Sequence, residues 1–201
     1  MTIDVEPSLD QRIAARVRML RADAGLSLEA VSGRCGVSRS MISLIERGET
    51  SPTAVVLEKL AAGLGVTLAA LFVPLPKSDG VLTASPVARR AEQAEWQDPD
   101  SGYRRRNVSP PDVAQPVQIV EVSFPAGARV AFDIGMRDIR VTQQVWLLDG
   151  AMHVSVGGTR HVLASGDCLF MALDQPIVFH NPTTKPARYA VVLHTESALR
   201  R

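Results

Sequence analysis

The spacing of apolar residues changes once along this chain of 201 residues, close to residue 74. Before that point apolar residues recur every three or four positions, the period of helices with one buried face. Beyond residue 85 they alternate with polar residues in short runs, and turn-forming segments such as PAG, DG, GG, SGD and NPTTKP separate the runs. Alternation of this kind is typical of strands joined by tight turns. The chain therefore predicts an all-α half followed by an all-β half.

The aromatic residues support a division into two domains. Of nine aromatic residues, only Phe72 lies within residues 1–73. Residues 74–85, PLPKSDGVLTAS, contain several turn formers and no helical period, so they are predicted to be a linker. We expect a helical domain over 1–73, the linker over 74–85 and a strand domain over 86–201, each long enough to bury a core.

Charge and hydropathy exclude several classes of protein. The net charge is +1, and residues 1–73 hold eight basic and eight acidic residues, so neither half is a polybasic or acidic tail. The sequence shows no charged and then apolar leader and no apolar run of about 18 residues. These features predict a cytoplasmic protein with no membrane partner.

Five helices are predicted in the first half. Ser8 and Gln11 have the spacing of a capping box before the first helix, Ser27 caps the second and Ser38 caps the third. A fourth follows the SPT turn and ends near Gly65, and a short fifth covers TLAALF. The second and third helices are separated only by a short turn that contains a glycine, which is how a helix-turn-helix unit presents its second helix to the DNA major groove.

The stretch GLSLEAVSGRCGVSRSMISLIERGETSPT resembles the phage-repressor-like helix-turn-helix of the XRE family, and the match covers about residues 9–73. The resemblance implies binding to double-stranded DNA. It places base contacts at one set of residues and phosphate contacts at another. The base set is Arg39, Ser40, Ser43 and Leu44, and the phosphate set is Ser27, Arg47, Thr50 and Ser51. An arginine can donate two hydrogen bonds to guanine, whereas Leu44 departs from the polar residue often found there and offers only contact with a thymine methyl. The zero net charge of this half leaves, as the alternative, a helical bundle that binds protein or merely dimerises.

The second half resembles a cupin, a double-sheet jelly roll, over about residues 86–195. Gly127, Gly150, Gly166 and Asn181 match the glycines and asparagine that frame the two cupin motifs. At the metal-ligand positions this chain has other residues, and these are Asp133, Gly135, Gln143 and Ile177. A catalytic metal needs three or four donors aimed at one point, so this set predicts a barrel without a metal or other cofactor. The four histidines are expected to be strand residues rather than ligands.

The strand register predicts a mostly apolar pocket inside the barrel. Ala131, Asp133, Gln143, Val145, Leu147, Ile177 and Phe179 are expected to face inward, and the polar side chains of Asp133 and Gln143 would lie near the mouth. Ordinary core packing is the alternative for each of these residues.

In the run Arg104, Arg105 and Arg106, successive side chains alternate between the two faces of a strand. Arg105 is therefore a candidate to bind an anionic ligand, and a solvated or salt-bridged outer face is the alternative. Val130, Phe132 and Trp146 are expected on the outer face, as a candidate dimer interface.

Together the two halves resemble the XRE-cupin class of one-component regulators. We therefore predict a sequence-specific transcriptional regulator that binds a palindromic operator as a homodimer and responds to a small molecule held by Asp133, Gln143, Val145, Ile177, Phe179 and Arg105. The alternatives are a cupin metalloenzyme fused to a helix-turn-helix domain, and a regulator whose cupin only dimerises. The residues at the ligand positions favour a protein that is not an enzyme.

Overall fold

The computed structural model describes residues 8–73, 85–111, 116–133 and 139–196. Ser85 is the only part of the predicted linker, 74–85, within these ranges, and Gly135 lies outside them. None of the described helices is long and apolar enough to cross a membrane.

Four α-helices and a 3-10 helix form the first half, confirming its predicted class. The α-helices are α1 (Leu9–Asp23), α2 (Leu28–Cys35), α3 (Arg39–Glu46) and α4 (Ala54–Gly63). The segment predicted as a fifth helix is a 3-10 helix, Leu68–Phe72. Its five residues are too few for stable α-helical turns, and the tighter 3-10 form is common in such short pieces.

Local side-chain hydrogen bonds explain where the helices begin. The hydroxyl of Ser8 accepts from the amide of Gln11 while the Gln11 side chain accepts from the Ser8 amide, which is the predicted capping box. The hydroxyls of Ser27 and Ser38 accept from the amides of Ala30 and Met41 and so cap α2 and α3. Gly36 ends α2 with a φ of 67°, a left-handed conformation that favours glycine. The sequence therefore defines the turn between α2 and α3 locally.

In the described part of the second half, ten antiparallel strands form two facing sheets. They are β1 (Glu95–Gln97), β2 (Arg104–Asn107), β3 (Val117–Phe124), β4 (Arg129–Phe132), β5 (Arg140–Asp149), β6 (Ala151–Val156), β7 (Thr159–Ala164), β8 (Cys168–Ala172), β9 (Ile177–His180) and β10 (Ala187–Glu196). One sheet has the order β1-β2-β3-β10-β5-β8, and the other has the order β4-β9-β6-β7. This is a cupin-type jelly roll, as predicted.

The GG pair at 157–158 forms the tight hairpin predicted between β6 and β7. Gly157 and Gly158 have φ values of 54° and 90°, and Val156 pairs with Thr159 across the turn. Positive φ at both central residues is characteristic of a two-residue type I′ turn. The turn fixes the register of the two strands.

The inward phase predicted for β4 is wrong by one residue. Val130 and Phe132 pair with Phe179 and Ile177, and their side chains belong to the core, whereas Ala131 and Asp133 are exposed. A shift of one residue turns every side chain of a strand to the other face. The observed phase buries more apolar surface and leaves the Asp133 carboxylate in water, so it is the more stable choice.

The helical half packs directly on the barrel. The buried carboxylate of Asp98, just after β1, accepts a hydrogen bond of 2.8 Å from the amide of Ala54 in the first turn of α4. The Phe72 ring lies 5.7 Å from the Trp96 ring, measured between centroids. Two polar contacts accompany these, from Thr67 to Gln118 and from Asn107 to the carbonyl of Ala69.

Candidate nucleic-acid interface and barrel cavity

The third helix displays a polar face to solvent. Ile42 and Ile45 of α3 are fully buried, while Arg39 and Ser40 are exposed and Ser43 is half-buried. This division follows from helical spacing, because residues three apart lie on the same face. Leu44 is half-buried, so only part of its side chain is available to a partner.

A shallow groove brings together four of the eight residues predicted to contact DNA. Ser27 at the start of α2 and Arg39, Ser40 and Ser43 of α3 line this groove with Leu28 and Glu29. The Ser27 hydroxyl accepts from the amide of Ala30, and the Ser38 and Ser40 hydroxyls are 3.2 Å apart. The groove thus joins the beginnings of two helices, where free amides and partial positive charge favour phosphate.

Three further predicted DNA residues, Arg47, Thr50 and Ser51, follow α3, and Arg47 and Ser51 have hydrogen-bond partners within the protein. Arg47 forms two hydrogen bonds to the carboxylate of Glu49, at 2.6 and 2.9 Å, and a third to the Ser43 hydroxyl. The Ser51 hydroxyl donates to Asp10. Thr50 lies between these residues and is half-buried. A phosphate that binds Arg47 must therefore compete with Glu49.

An ion pair that the sequence did not indicate holds α3 in place. The buried carboxylate of Glu46 accepts hydrogen bonds from Nε and Nη2 of Arg21 in α1, at 2.6 and 2.7 Å. Arg18 donates to the carbonyl of Glu46. The carboxylate raises the pKa of the Arg21 guanidinium through this hydrogen bonding. The C-terminal end of α3 is therefore fixed by two arginines of α1, and the only signal in the sequence is a glutamate within a buried helical face.

A cavity of about 80 Å³ lies inside the barrel. Most of its lining comes from six strands and from two loop residues next to strands, and the helical half closes one side. The barrel residues are Tyr103, Arg105, Val120, Val122, Phe124, Phe132, Gln143, Leu173, Ile177, Phe179, Tyr189, Val191 and Leu193, and the helical residues are Glu58, Thr67 and Leu68. The three helical residues were not anticipated, because nothing local in the sequence shows which surface of the helical half covers the barrel.

Four of the six predicted ligand residues line this cavity, and two do not. Arg105, Gln143, Ile177 and Phe179 line it, and the Gln143 amide lies 3.3 Å from the sulfur of Met171. Val145 is buried but is not among the lining residues. Asp133 is exposed because of the phase of β4 and lies outside the lining.

Among the described residues that line the cavity, Arg105 is the only lysine or arginine. Its guanidinium carbon lies 5.0 Å from the centre of the Phe72 ring. Burial lowers the pKa of this guanidinium, and nearby Tyr103 and Tyr189 oppose that effect only in part. Burial also raises the pKa of Tyr103 to about 12. The next residue, Arg106, points to the other face and pairs with Glu121, so the arginines alternate as predicted.

The side chains at the positions of the cupin metal ligands do not fit a metal centre. Within the described ranges no three histidine, cysteine, aspartate or glutamate residues lie close enough together to hold a metal ion. Gln143 and Ile177 are the only described residues of the predicted set inside the cavity, and isoleucine has no donor atom. His153 and His180 are cross-strand partners with ring centroids 5.9 Å apart, and their strand neighbours Val154 and Phe179 are the buried residues.

The outer face of the six-stranded sheet carries exposed aromatic side chains. Trp146 of β5 is 50% exposed and Phe170 of β8 is 65% exposed. Trp146 pairs with Cys168 and Gln144 with Phe170 across these two strands, and β8 is the edge of the sheet. Val130 and Phe132, predicted to share this outer surface, belong to the core instead because of the phase of β4.

Comparison with known proteins gives consistent matches over both halves. A family model described as a helix-turn-helix domain matches residues 12–71. The chain is 24% identical over 187 residues to the HTH-type transcriptional regulator SutR of Escherichia coli (strain K12), covering 93% of this chain and 97% of that protein. It is 37% identical over 62 residues to the HTH-type transcriptional regulator y4dJ of Sinorhizobium fredii, covering 31% of this chain and 80% of that protein. A crystal structure of an HTH_3 family transcriptional regulator from Vibrio cholerae superposes with a TM-score of 0.73 at 26% identity, covering 94% of this chain and 98% of that one.

Proposed function

The chain belongs to the helix-turn-helix transcriptional regulators of the XRE type that carry a cupin domain, and we propose that a small molecule in the barrel cavity controls its binding to DNA. In this proposal residues 1–73 bind DNA, residues 74–85 connect, and residues 86–201 bind the effector and dimerise. Because a transcriptional regulator acts on chromosomal DNA, we propose that the protein is located in the cytoplasm.

We assign base recognition to the exposed face of α3. Arg39 and Ser40 are exposed at the beginning of this helix, the part that enters the major groove in helix-turn-helix proteins. Arg39 is the residue suited to donate two hydrogen bonds to a guanine. Ser43 and the exposed part of Leu44 lie one turn later, next to the following base pairs.

Phosphate contacts are assigned to residues that flank this helix. Ser27 begins α2, and Arg47, Thr50 and Ser51 follow α3. Hydroxyls, helix amides and arginine are the usual donors to phosphate oxygens, and these contacts fix the orientation of the protein on DNA. In the DNA complex the Arg47 guanidinium binds a phosphate in place of the Glu49 carboxylate.

We propose that two copies associate through the outer face of the six-stranded sheet. Trp146 and Phe170 are large, exposed and close together beside the free edge of β8. Exposed aromatic patches are typical of association surfaces. A twofold dimer would present two copies of α3 to successive turns of a palindromic operator, about 34 Å apart.

The observation that carries effector control is the composition of the cavity wall. Glu58 of α4, and Thr67 and Leu68 at the beginning of the 3-10 helix, line the same cavity as the barrel residues. A molecule in this cavity therefore contacts the DNA-binding half as well as the barrel. If it binds one arrangement of the halves more tightly, it shifts the population towards that arrangement and changes the spacing of the two α3 helices.

Selection of bound fragments from the host genome tests DNA recognition. Arg39→Ala should lower affinity for the selected operator by about 1–3 kcal/mol and relax preference at one base pair. Arg47→Ala should weaken binding to all sequences and lower the slope of log K against log salt by about one unit. Arg160→Ala removes the same charge from an exposed position on β7 and serves as the control. Equal losses on operator and random DNA for both test variants would contradict these roles.

The proposal treats the protein as a regulator without enzymatic activity. The alternative, a metalloenzyme, requires three protein ligands, which the described cavity lining does not provide. Elemental analysis after gentle purification tests this point. One iron or zinc per chain, retained through gel filtration, would favour the enzyme.

A further inference from the structure

The guanidinium of Arg105 is buried inside the barrel. Arg105 is 7% exposed, and its Nε atom has no hydrogen-bond partner. Among the described residues, no carboxylate forms a salt bridge with it. Glu58 is the other charged residue among the described lining residues, and it already has an interaction partner. A buried charge without a counter-ion is costly, so such a group points to a partner that arrives from outside.

The rest of the lining restricts what that partner can be. Apart from Arg105 and Glu58, the polar side chains of the described lining are those of Thr67, Tyr103, Gln143 and Tyr189, which carry no charge at neutral pH, and most of the lining is apolar. One guanidinium suits one negative charge, and its planar fork matches the two oxygens of a carboxylate. A phosphate dianion would need further positive donors.

The cavity volume limits the size of the molecule. One water molecule, which has the size of a single non-hydrogen atom, requires roughly 10–15 Å³ of cavity volume. The cavity of about 80 Å³ therefore holds roughly five to eight non-hydrogen atoms by this measure. A short aliphatic carboxylate has this size and combines one charged end with an apolar body.

We propose that the effector is a small organic monocarboxylate whose charged group binds Arg105 and whose apolar body lies among Ile177 and Phe179. This inference rests on the effector control proposed above and specifies the chemistry of that effector. The position of Arg105 also links the ligand to the DNA-binding half, because its guanidinium lies over the ring of Phe72. A carboxylate on the guanidinium would change the electrostatics of this contact directly.

Calorimetric titration of the full chain with matched acids and amides tests the proposal. The probes are propanoate, butanoate, 3-methylbutanoate and hexanoate, each paired with its amide, which has nearly the same shape and no charge. At least one acid should bind, and its amide should bind at least about thirty-fold more weakly, the range for removing one member of a buried charge pair. No binding by any of the acids, or equal binding by acid and amide, would overturn the proposal.

Variants of the arginine identify the site. Arg105→Gln should weaken binding of the acid by at least about thirty-fold. Arg105→Lys, which retains the charge but not the fork, should weaken it less. The control is Arg104→Gln on the same strand, since Arg104 is exposed and pairs with Glu95 at 3.6 Å. Unchanged binding in Arg105→Gln would overturn the assignment, and if that variant does not fold, Arg105→Lys gives the decisive comparison.

The stability of the ligand-free chain distinguishes binding from packing. An arginine kept only for packing should lower the melting temperature when it is replaced by methionine of similar length. A buried charge kept for a ligand should leave the melting temperature of Arg105→Met unchanged or raise it. A clear fall in the melting temperature would assign Arg105 to packing and overturn the proposal.

Operator binding separates this inference from the function on which it rests. An acid that binds through Arg105 but leaves operator affinity unchanged would contradict effector control and support the carboxylate site. An amide that binds and changes operator affinity as strongly as its acid would support effector control and overturn the carboxylate site.

Discussion

Replacement of Asp98 by alanine should loosen the helical half from the barrel. The Asp98 carboxylate is 2% exposed and accepts from the amide of Ala54 at 2.8 Å, from the amide of Ser101 at 2.9 Å and from the Ser101 hydroxyl. The Ala54 amide is one of the free donors at the beginning of α4, and Thr53 satisfies another, the amide of Val56. The barrel therefore supplies part of the cap of a helix in the other domain.

The magnitude follows from the groups that lose their partner. A buried amide left without an acceptor costs about 1–3 kcal/mol. Loss of a negative charge at a helix N-terminus costs about 0.3–1 kcal/mol more. We therefore expect Asp98→Ala to lower the free energy of unfolding by about 1–4 kcal/mol. Asp98→Asn retains an acceptor oxygen and should cost about 1 kcal/mol through the charge.

Urea unfolding followed by two probes measures this effect. Far-ultraviolet circular dichroism reports the helices, and the fluorescence of Trp96 and Trp146, which both lie on barrel strands, reports the barrel. In Asp98→Ala the helical transition should move to lower urea than the barrel transition. Asp100→Ala, an exposed aspartate in the same turn, is the control and should change stability by less than about 0.5 kcal/mol. Equal effects of the two substitutions would refute the assigned role, since the Ala54 amide would then be satisfied without Asp98.

Three further predictions concern other parts of the chain. Glu49→Gln should increase affinity for operator and random DNA several-fold at low salt by releasing Arg47 from its ion pair, and unchanged affinity in a gel-shift titration would contradict that competition. Gly63→Ala should lower the free energy of unfolding in urea by about 1–3 kcal/mol, because the new Cβ would lie 2.7 Å from the Cβ of Cys35 in α2. Gly33→Ala, in α2 and facing open space, is the control and should raise that free energy by about 0.5–1 kcal/mol. Burial raises the pKa of Tyr103 to about 12, so the folded chain should show little tyrosinate absorbance at about pH 11, and stability should fall as the pH rises from about 10 to 12 because the unfolded chain ionises first. Normal tyrosine titration in the folded chain would contradict this burial.

Local chemistry explains which elements were predictable. The caps at Ser8, Ser27 and Ser38 and the hairpin at Gly157 and Gly158 depend on residues adjacent in sequence, and each was predicted correctly. Strand β1, with three residues, is too short to show alternation and was not predicted. Elements therefore followed from sequence where their signals lay within a few residues.

Long-range geometry explains what could not be predicted. The spacing of the cupin metal-ligand motif predicts that Asp133 faces inward. Burial of Val130 and Phe132 instead determines the phase of β4 and leaves Asp133 exposed. The contact between Ala54 and Asp98 joins residues 44 positions apart, and no local pattern marks it. The candidate site was therefore half predictable: Arg105, Gln143, Ile177 and Phe179 follow from strand alternation, but the helical wall of the cavity does not.

The position of Phe72 limits how freely the two halves can be exchanged between proteins. This aromatic residue of the helical half begins a row of ring contacts that runs through Trp96, Tyr103 and Phe124 into the barrel. A chimera that joined residues 1–73 to an unrelated barrel would expose the Phe72 ring to water. It would also leave the Ala54 amide without its acceptor, the Asp98 carboxylate. Recombination of this regulator, in the laboratory or in evolution, therefore has to transfer the surface around Trp96 and Asp98 together with the helices.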